Sequence, residues 1–366
     1  MVKIGATFLT EKNYDKNKVK TVLKNYAKII PKHDESILNS ILSDFESDNF
    51  SLITPQQVQF LNSNSEDKWA PYLIFRYKFT NYPKNHTDSE IPSHLIVEPI
   101  SACNLRCVMC FQVDETFSGN QSFMGKMDFQ LFKKIIDDAT NIGIKAITLT
   151  GRGEPTLHPQ MGEMLEYCSG KFFELKMNTN ATRLSDKLIH QILKSGMTDL
   201  VFSVDSYEKT QYESIRVLGI FETVLNNIKK FKEIKEKYYP NSKCATRVSG
   251  VKIDEKQDPV LFKKFWEQYV DHVVMVEMQY RWDTYNNPTT NAGVKPCEYL
   301  WGEMNIWCDG VCNPCDTDYK SVLAVGSITE NNIKDIWNGD KYKKLRQLHK
   351  SGQRSTCHPC ERCPNW

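Results

Sequence analysis

From His94 to Met278 the sequence alternates short apolar runs with helix-length amphipathic segments, and no other feature limits the fold so tightly. Repeated βα units require a parallel sheet, because each strand is followed by a crossover helix that returns the chain to the same end. The runs Leu95–Glu98, Ala146–Thr150, Glu174–Asn178, Leu200–Val204, Ala245–Val251 and Val273–Met278 read as strands. Segments near Asp128–Thr140, Pro159–Cys168, Ser185–Lys194, Phe221–Tyr238 and Pro259–Tyr269 read as helices. Six strands with intervening helices predict an α/β fold, a partial (β/α)6 TIM-like barrel open on one side. In such barrels the chemistry sits at the C-terminal ends of the strands.

Residues 1–90 precede this pattern as a mostly helical extension, with helices expected at Lys18–Ile30 and Glu35–Phe45 and then a polar stretch from Asn81 to Pro92. No chemistry is visible there, and a partner- or substrate-binding cap fits as well as a structural layer against the core. The barrel is assigned to residues 91–290 and a cysteine-rich tail to residues 291–366, the βα pattern stopping near Asn291. A formal charge of +2 with both signs interspersed gives no footprint for nucleic acid. Met1–Tyr14 lacks the apolar core of an export signal, and no stretch approaches the roughly 20 apolar residues of a membrane span. A cytosolic protein is expected. Its 12 cysteines, grouped in a long chain, then read as metal sites rather than disulfides. Cys168 and Cys244 stand alone and are expected as buried packing residues.

Cys103, Cys107 and Cys110 form a C-x3-C-x2-C triplet directly after the first strand, at the end where a barrel carries its chemistry. Three thiolates offered to a cluster of four irons leave one iron open for a substrate or cofactor. The triplet resembles that of the radical S-adenosylmethionine (radical SAM) superfamily. In that family the open iron is chelated by the amino and carboxylate groups of S-adenosylmethionine, and one electron from the cluster cleaves the sulfonium to a 5′-deoxyadenosyl radical. The resemblance implies a 4Fe-4S cluster on these cysteines, S-adenosylmethionine as cofactor, and an electron donor such as flavodoxin or ferredoxin as partner.

The following strand ends carry further motifs in the family's order. Thr150-Gly151-Arg152-Gly153-Glu154-Pro155 resembles the family's Gly-Gly-Glu-Pro, which implies that Glu154 and the Gly153 backbone hold the cofactor's amino group. Arg152 replaces the first glycine of that pair, and contact with substrate, contact with the methionyl carboxylate and pairing with a neighbouring loop carboxylate all fit it. Asn180 follows the third strand in Asn178-Thr179-Asn180-Ala181, where the family often carries Thr-Asn-Gly. Ser203 and Asp205 on the fourth strand resemble the family's Ser-x-Asp, and their spacing predicts that both face the site, where ribose hydroxyls would lie. Arg216, ahead of Gly219-Ile-Phe221, offers the paired donors that suit the methionyl carboxylate. The fifth strand places Gly250 where an adenine can lie against the backbone. One departure is Met109, where an aromatic residue usually precedes the third cysteine.

Seven more cysteines fall between Cys297 and Cys363, in surroundings similar to the SPASM or shorter twitch extension that carries auxiliary 4Fe-4S clusters. The full SPASM spacing is absent, whereas the twitch arrangement fits Cys297 and Cys315 with Cys360 and Cys363, leaving Cys308, Cys312 and Cys357 over. A zinc ribbon on Cys312-x2-Cys315 and Cys357-x2-Cys360 is the structural alternative, and zinc would accept no electron.

These readings lead to an oxidoreductase that removes two electrons from a small polar substrate, the auxiliary cluster taking the second. Arg152, Arg247, Glu277 and Tyr280 are the main candidate substrate contacts, with Gln112, Asn178, Arg281 and Asp283 beside them. Several arginines favour a sugar phosphate or nucleotide sugar. The alternatives are a redox-neutral epimerase using a thiol such as Cys308 or Cys312, a peptide- or protein-modifying enzyme, and a non-catalytic iron-sulfur or zinc scaffold.

Overall fold

The structure, a computed structural model, describes residues 3–4, 14–47, 54–278, 283–286 and 295–363. It divides into two compact units, Thr7–Asp88 on one side and Met1–Ala6 with Ser89–Trp366 on the other.

The smaller unit is helical: Lys16–Tyr26, Glu35–Glu46, Pro55–Ser63 and Trp69–Lys84. Asp15 caps the first helix by accepting from the Lys18 amide at 2.9 Å, and Thr54 and Gln57 form a reciprocal capping box on the third. Val19, Leu23, Ile37, Leu38, Ile41, Phe45, Leu61, Trp69, Leu73 and Ile74 bury one another, so the unit has a core of its own. The first two helices match the sequence expectation in place. The other two do not appear in it, and the last runs through the start of the stretch read as polar linker. Its sequence is apolar and aromatic around most of its circumference and carries Pro71 and Pro83, so it shows little helical period. Pro71 falls in the first turn, where no intrahelical amide bond is lost.

The larger unit is built on one ten-stranded sheet. In chain order its strands are β1 (Lys3–Ile4), β2 (His94–Val97), β3 (Ala146–Leu149), β4 (Glu174–Thr179), β5 (Asp199–Ser203), β6 (Ala245–Lys252), β7 (His272–Glu277), β8 (Glu303–Ile306), β9 (Val311–Asn313) and β10 (Gly326–Ser327). The spatial order is β1-β7-β6-β5-β4-β3-β2-β8-β9-β10. Strands β2 to β7 are parallel neighbours in sequence order, the signature of the wound βα barrel, and each lies within one residue of its sequence expectation. Leu95, Val97, Ile147, Leu149, Leu175, Met177, Leu200, Phe202 and Val248 are buried in one core with helix residues such as Phe132, Ile136, Leu165, Ile189, Ile228 and Trp266. The alternate positions carry Thr148, Lys176, Asn178, Ser203, Arg247 and Ser249 beside Ile96 and Val201, so the inner face of the barrel mixes polar with apolar side chains.

The tail continues this sheet. β8 pairs parallel with β2, Glu303 opposite His94 and Ile306 opposite Val97, and β9 and β10 follow antiparallel. The sequence pattern hides β8, because four residues alternating polar and apolar inside a cysteine-rich stretch give too short a period to read.

Candidate active site

The loop after β2 is pinned by backbone bonds at several points. Ser101 and Gly125 bond reciprocally, with the Gly125 amide donating to Ser101 Oγ at 2.7 Å. Arg106–Cys107 forms a short antiparallel ladder with Arg216–Val217, Cys107 opposite Arg216. The Cys110 amide donates to the Cys107 carbonyl at 2.9 Å. This folding brings Cys103, Cys107 and Cys110 to one wall of a cavity of about 470 Å³, a volume typical of cofactor sites. Burial pushes Cys103 up to about 11 and Cys110 up to about 12, and the neighbouring thiols push each the same way. Three buried thiols that oppose one another's ionisation need a cation among them to become thiolates, which is what an iron-sulfur cluster provides. The donor set fits the cluster.

Gly153 lines the same cavity, and a Cβ there would collide with the carbonyl oxygens of Ile100 and Ala102. The backbone therefore approaches the cysteine loop as closely as only glycine allows. Glu154 lines the cavity at 3% exposure: Oε1 accepts from Thr156 and from Thr179 Oγ1 at 2.6 Å, and Oε2 accepts from the Asn180 amide at 2.6 Å. Burial pushes its pKa up while these donors pull it down, and the result stays above the ordinary carboxylate value. Asn180 donates to Asn104 Oδ1 at 3.0 Å and reaches Cys103 Sγ at 3.9 Å, which ties the end of β4 to the cysteine loop. Ala181 follows it at φ 61, in the left-handed region.

Ser203 lines the cavity but Asp205 does not. The alternation argument that put them on one face fails because β5 ends at Ser203. Asp205 is fully buried, accepting from Arg216 Nε at 2.7 Å and from the Val251 amide at 2.8 Å. It pairs with Arg216, whose Nη1 lies 3.7 Å from Cys107 Sγ, and is not on the cavity wall where the alternation put it.

Arg152 is likewise committed. It forms a bidentate pair with Glu98, Nε to Oε2 at 2.9 Å and Nη2 to Oε1 at 2.7 Å, and donates from Nη1 to the Tyr319 carbonyl at 3.1 Å. Its guanidinium lies 4.5 Å from the Trp307 ring centroid. Of its three sequence readings, this geometry matches pairing with a carboxylate, and the pair sits at the seam between barrel and tail, since the Cys308 amide also donates to Glu98 at 3.3 Å. Among the other candidate contacts, Gln112, Asn178 and Glu277 line the cavity, whereas Arg247 and Asp283 do not. Tyr280 and Arg281 lie outside the described residues. Gln112 is fixed by its two amide hydrogens, which donate to the Ser101 and Arg152 carbonyls.

The sequence reading gave no site role to several cavity residues, among them Leu105, Phe111, Val276 and Asp316. Asp316 lines the wall, although it belongs to the tail and directly follows Cys315. Its adjacency to a proposed cluster ligand was the available signal. In the tail, burial pushes Cys297 up to about 12 and Cys315 and Cys360 well above the thiol range. After burial, the neighbours acting on Cys315 include Cys360 and Cys297, and those acting on Cys360 and on Cys297 include Cys363. Cys297, Cys315, Cys360 and Cys363 thus recur among one another's electrostatic neighbours, and Cys357 also acts on Cys360. The charged side chains acting most strongly on Cys312 are Asp309 and Asp138, and on Cys308 they are Glu98 and Arg152. Among the described residues no three His, Cys, Asp or Glu side chains converge on a single ion. Cys297, Cys315, Cys360 and Cys363 are the candidate ligands of an auxiliary cluster by their spacing.

A family model for the radical SAM superfamily matches residues 97–248, and one for SPASM, an iron-sulfur cluster-binding domain, matches residues 297–364. The chain belongs to the radical SAM superfamily. This radical SAM enzyme is 25% identical over 316 residues to the tungsten-containing aldehyde ferredoxin oxidoreductase cofactor-modifying protein of Pyrococcus furiosus, across 73% of this chain and 86% of that one. Its fold matches BtrN in complex with AdoMet and 2-DOIA at TM-score 0.53 and 18% identity, covering 76% of this chain and 94% of BtrN. It also matches Streptococcus suis SuiB bound to S-adenosylmethionine at TM-score 0.56 and 16% identity, covering 99% and 94%. At these identities the two structures show the fold alone. The superfamily and the SPASM domain bring a 4Fe-4S cluster, S-adenosylmethionine and an auxiliary iron-sulfur cluster to the radical SAM enzyme. No described helix is long and apolar enough to cross a membrane.

Proposed function

We propose that this radical SAM enzyme oxidises a small hydroxylated substrate by two electrons. The observation that carries the reading is the position of Asp316: the residue next to tail thiol Cys315 lines the same cavity as Cys103, Cys107 and Cys110. When bound, the cofactors supply an adenosyl radical that takes one hydrogen atom from the substrate, and an acceptor for the remaining electron. Cys103, Cys107 and Cys110 hold one cluster, and Cys297, Cys315, Cys360 and Cys363 hold the other. Glu154 and the Gly153 backbone orient the amino group of S-adenosylmethionine, and Arg216 stands beside Cys107 with donors left for the methionyl carboxylate. Asp316 or Glu277, at the cavity wall, accepts the proton that leaves with the second electron.

Arg152 and Arg216 line the cavity but are paired with Glu98 and Asp205, and Arg247 is off it, so the arginine argument for a phosphorylated substrate is weakened. An unphosphorylated sugar or related polyol is the favoured class. The epimerase reading loses support because neither Cys308 nor Cys312 lines the cavity. Flavodoxin or ferredoxin is the proposed reductant.

The test is the iron, sulfide and zinc content of anaerobically reconstituted protein, measured with reductive formation of 5′-deoxyadenosine. Two four-iron clusters give about eight irons per chain, and 5′-deoxyadenosine should form. About four irons with one zinc would remove the electron acceptor and defeat the oxidative reading.

A further inference from the structure

Resting on the proposal that Cys297, Cys315, Cys360 and Cys363 hold an auxiliary cluster, we propose that Arg354 positions that cluster's ligands and raises its reduction potential. Arg354 is 2% exposed and sits three residues before Cys357. Its guanidinium crosses to three separate pieces of backbone, with Nε donating to the Cys360 carbonyl at 3.3 Å, Nη2 to the Cys363 carbonyl at 3.2 Å and Nη1 to the Lys295 carbonyl at 3.4 Å. Two of those carbonyls belong to ligand residues, and the third lies two residues before the ligand Cys297. One rigid fork therefore sets the spacing of three of the four thiols, a task lysine cannot perform because its donors share a single nitrogen.

The second contribution is charge. The buried guanidinium bonds directly to the backbone of the ligand residues Cys360 and Cys363, so its positive charge sits against the cluster site. Cluster potentials follow net charge, hydrogen bonding and exposure. A buried cation against the ligand residues stabilises the reduced, more negative form. That is the direction an electron acceptor requires.

The experiment uses the full-length chain with Cys103, Cys107 and Cys110 all replaced by Ala, so that only tail iron remains. Iron and sulfide are counted in this background and in its Arg354→Gln and Arg354→Lys derivatives, and the tail cluster is titrated by redox-controlled electron paramagnetic resonance. The background should hold about four irons; zinc or no iron there would refute the cluster itself and leave Arg354 without a target. With iron present, Arg354→Gln should move the midpoint to lower potential by about a tenfold change in the oxidised-to-reduced ratio, about 59 mV for a one-electron couple. Arg354→Lys, which keeps the charge, should stay nearer the background. Loss of iron from the Gln variant alone also supports the proposal, because the charge is then what lets four thiolates coexist. An unchanged midpoint in Arg354→Gln overturns it. Equal shifts in both variants, or iron lost from both, overturn the electrostatic part in favour of the hydrogen-bond fork alone.

Discussion

The two thiol sites of this molecule are built in opposite ways. The barrel site takes three cysteines from one loop of eight residues, Cys103 to Cys110, held by a two-residue ladder and reciprocal loop bonds. The proposed tail site draws four cysteines from Cys297 to Cys363, segments far apart in sequence, and Arg354 bonds to the carbonyls of Lys295, Cys360 and Cys363 across them. A local three-thiol site leaves one coordination position for a cofactor that must come and go. A four-thiol site assembled by tertiary structure is closed, and fits a centre that only passes electrons.

The sharpest way to break this comparison is the Cys103, Cys107 and Cys110 triple-alanine variant. Formation of 5′-deoxyadenosine should vanish while tail iron stays, falling from about eight to about four irons per chain. Cleavage that survives would refute the barrel site. The next largest effect concerns the seam between the sites. Arg152→Met strands Glu98, whose side chain is fully buried, without its bidentate partner. Breaking a buried pair from one side costs about 3–5 kcal/mol, so chemical denaturation should show a loss of that order. Arg152→Met combined with Glu98→Leu should recover most of it.

Acid should loosen the same seam. Burial works against ionisation of Asp114, but donors from Lys320, Thr116 and Tyr319 outweigh it and hold its pKa at about 2. A folded pKa below the unfolded one means a contribution that is complete above the ordinary carboxylate range and is lost as pH falls through about 2. The stability difference between wild type and Asp114→Asn, about 1–2 kcal/mol at neutral pH, should therefore shrink between about pH 4 and pH 2. A difference independent of pH would remove Asp114 from the seam. The smallest effect is confined to the barrel. Ala181 holds a left-handed φ of 61, so Ala181→Gly should stabilise by up to about 1 kcal/mol, read as a higher midpoint of thermal unfolding with tail iron unchanged.

Much of the barrel was legible because burial on one face imposes a period on the sequence, and each parallel strand from β2 to β7 lies where that period put it. The cysteine spacing likewise singles out Cys297, Cys315, Cys360 and Cys363 among seven tail thiols as the proposed ligands. What failed is what period and spacing do not carry. Asp205 was assigned to the cavity on strand alternation, but the strand stops at Ser203 and the next turn redirects the carboxylate. Arg152 is placed by Glu98, 54 residues earlier, and no local pattern announces that partner. Asp316 reaches the cavity because the tail folds back onto it, a tertiary fact. The Trp69–Lys84 helix is apolar on too many sides to show a stripe.

The parallel pairing of β8 with β2 has a consequence for how the tail can be studied. Without residues 303–306 the flank of β2 would present a row of unsatisfied amides and carbonyls to solvent, a template for strand exchange between molecules. A truncation at the end of the βα repeats would thus yield a sticky barrel rather than an enzyme lacking its second redox centre. The electron acceptor of this protein can be removed one side chain at a time, but not by cutting it off.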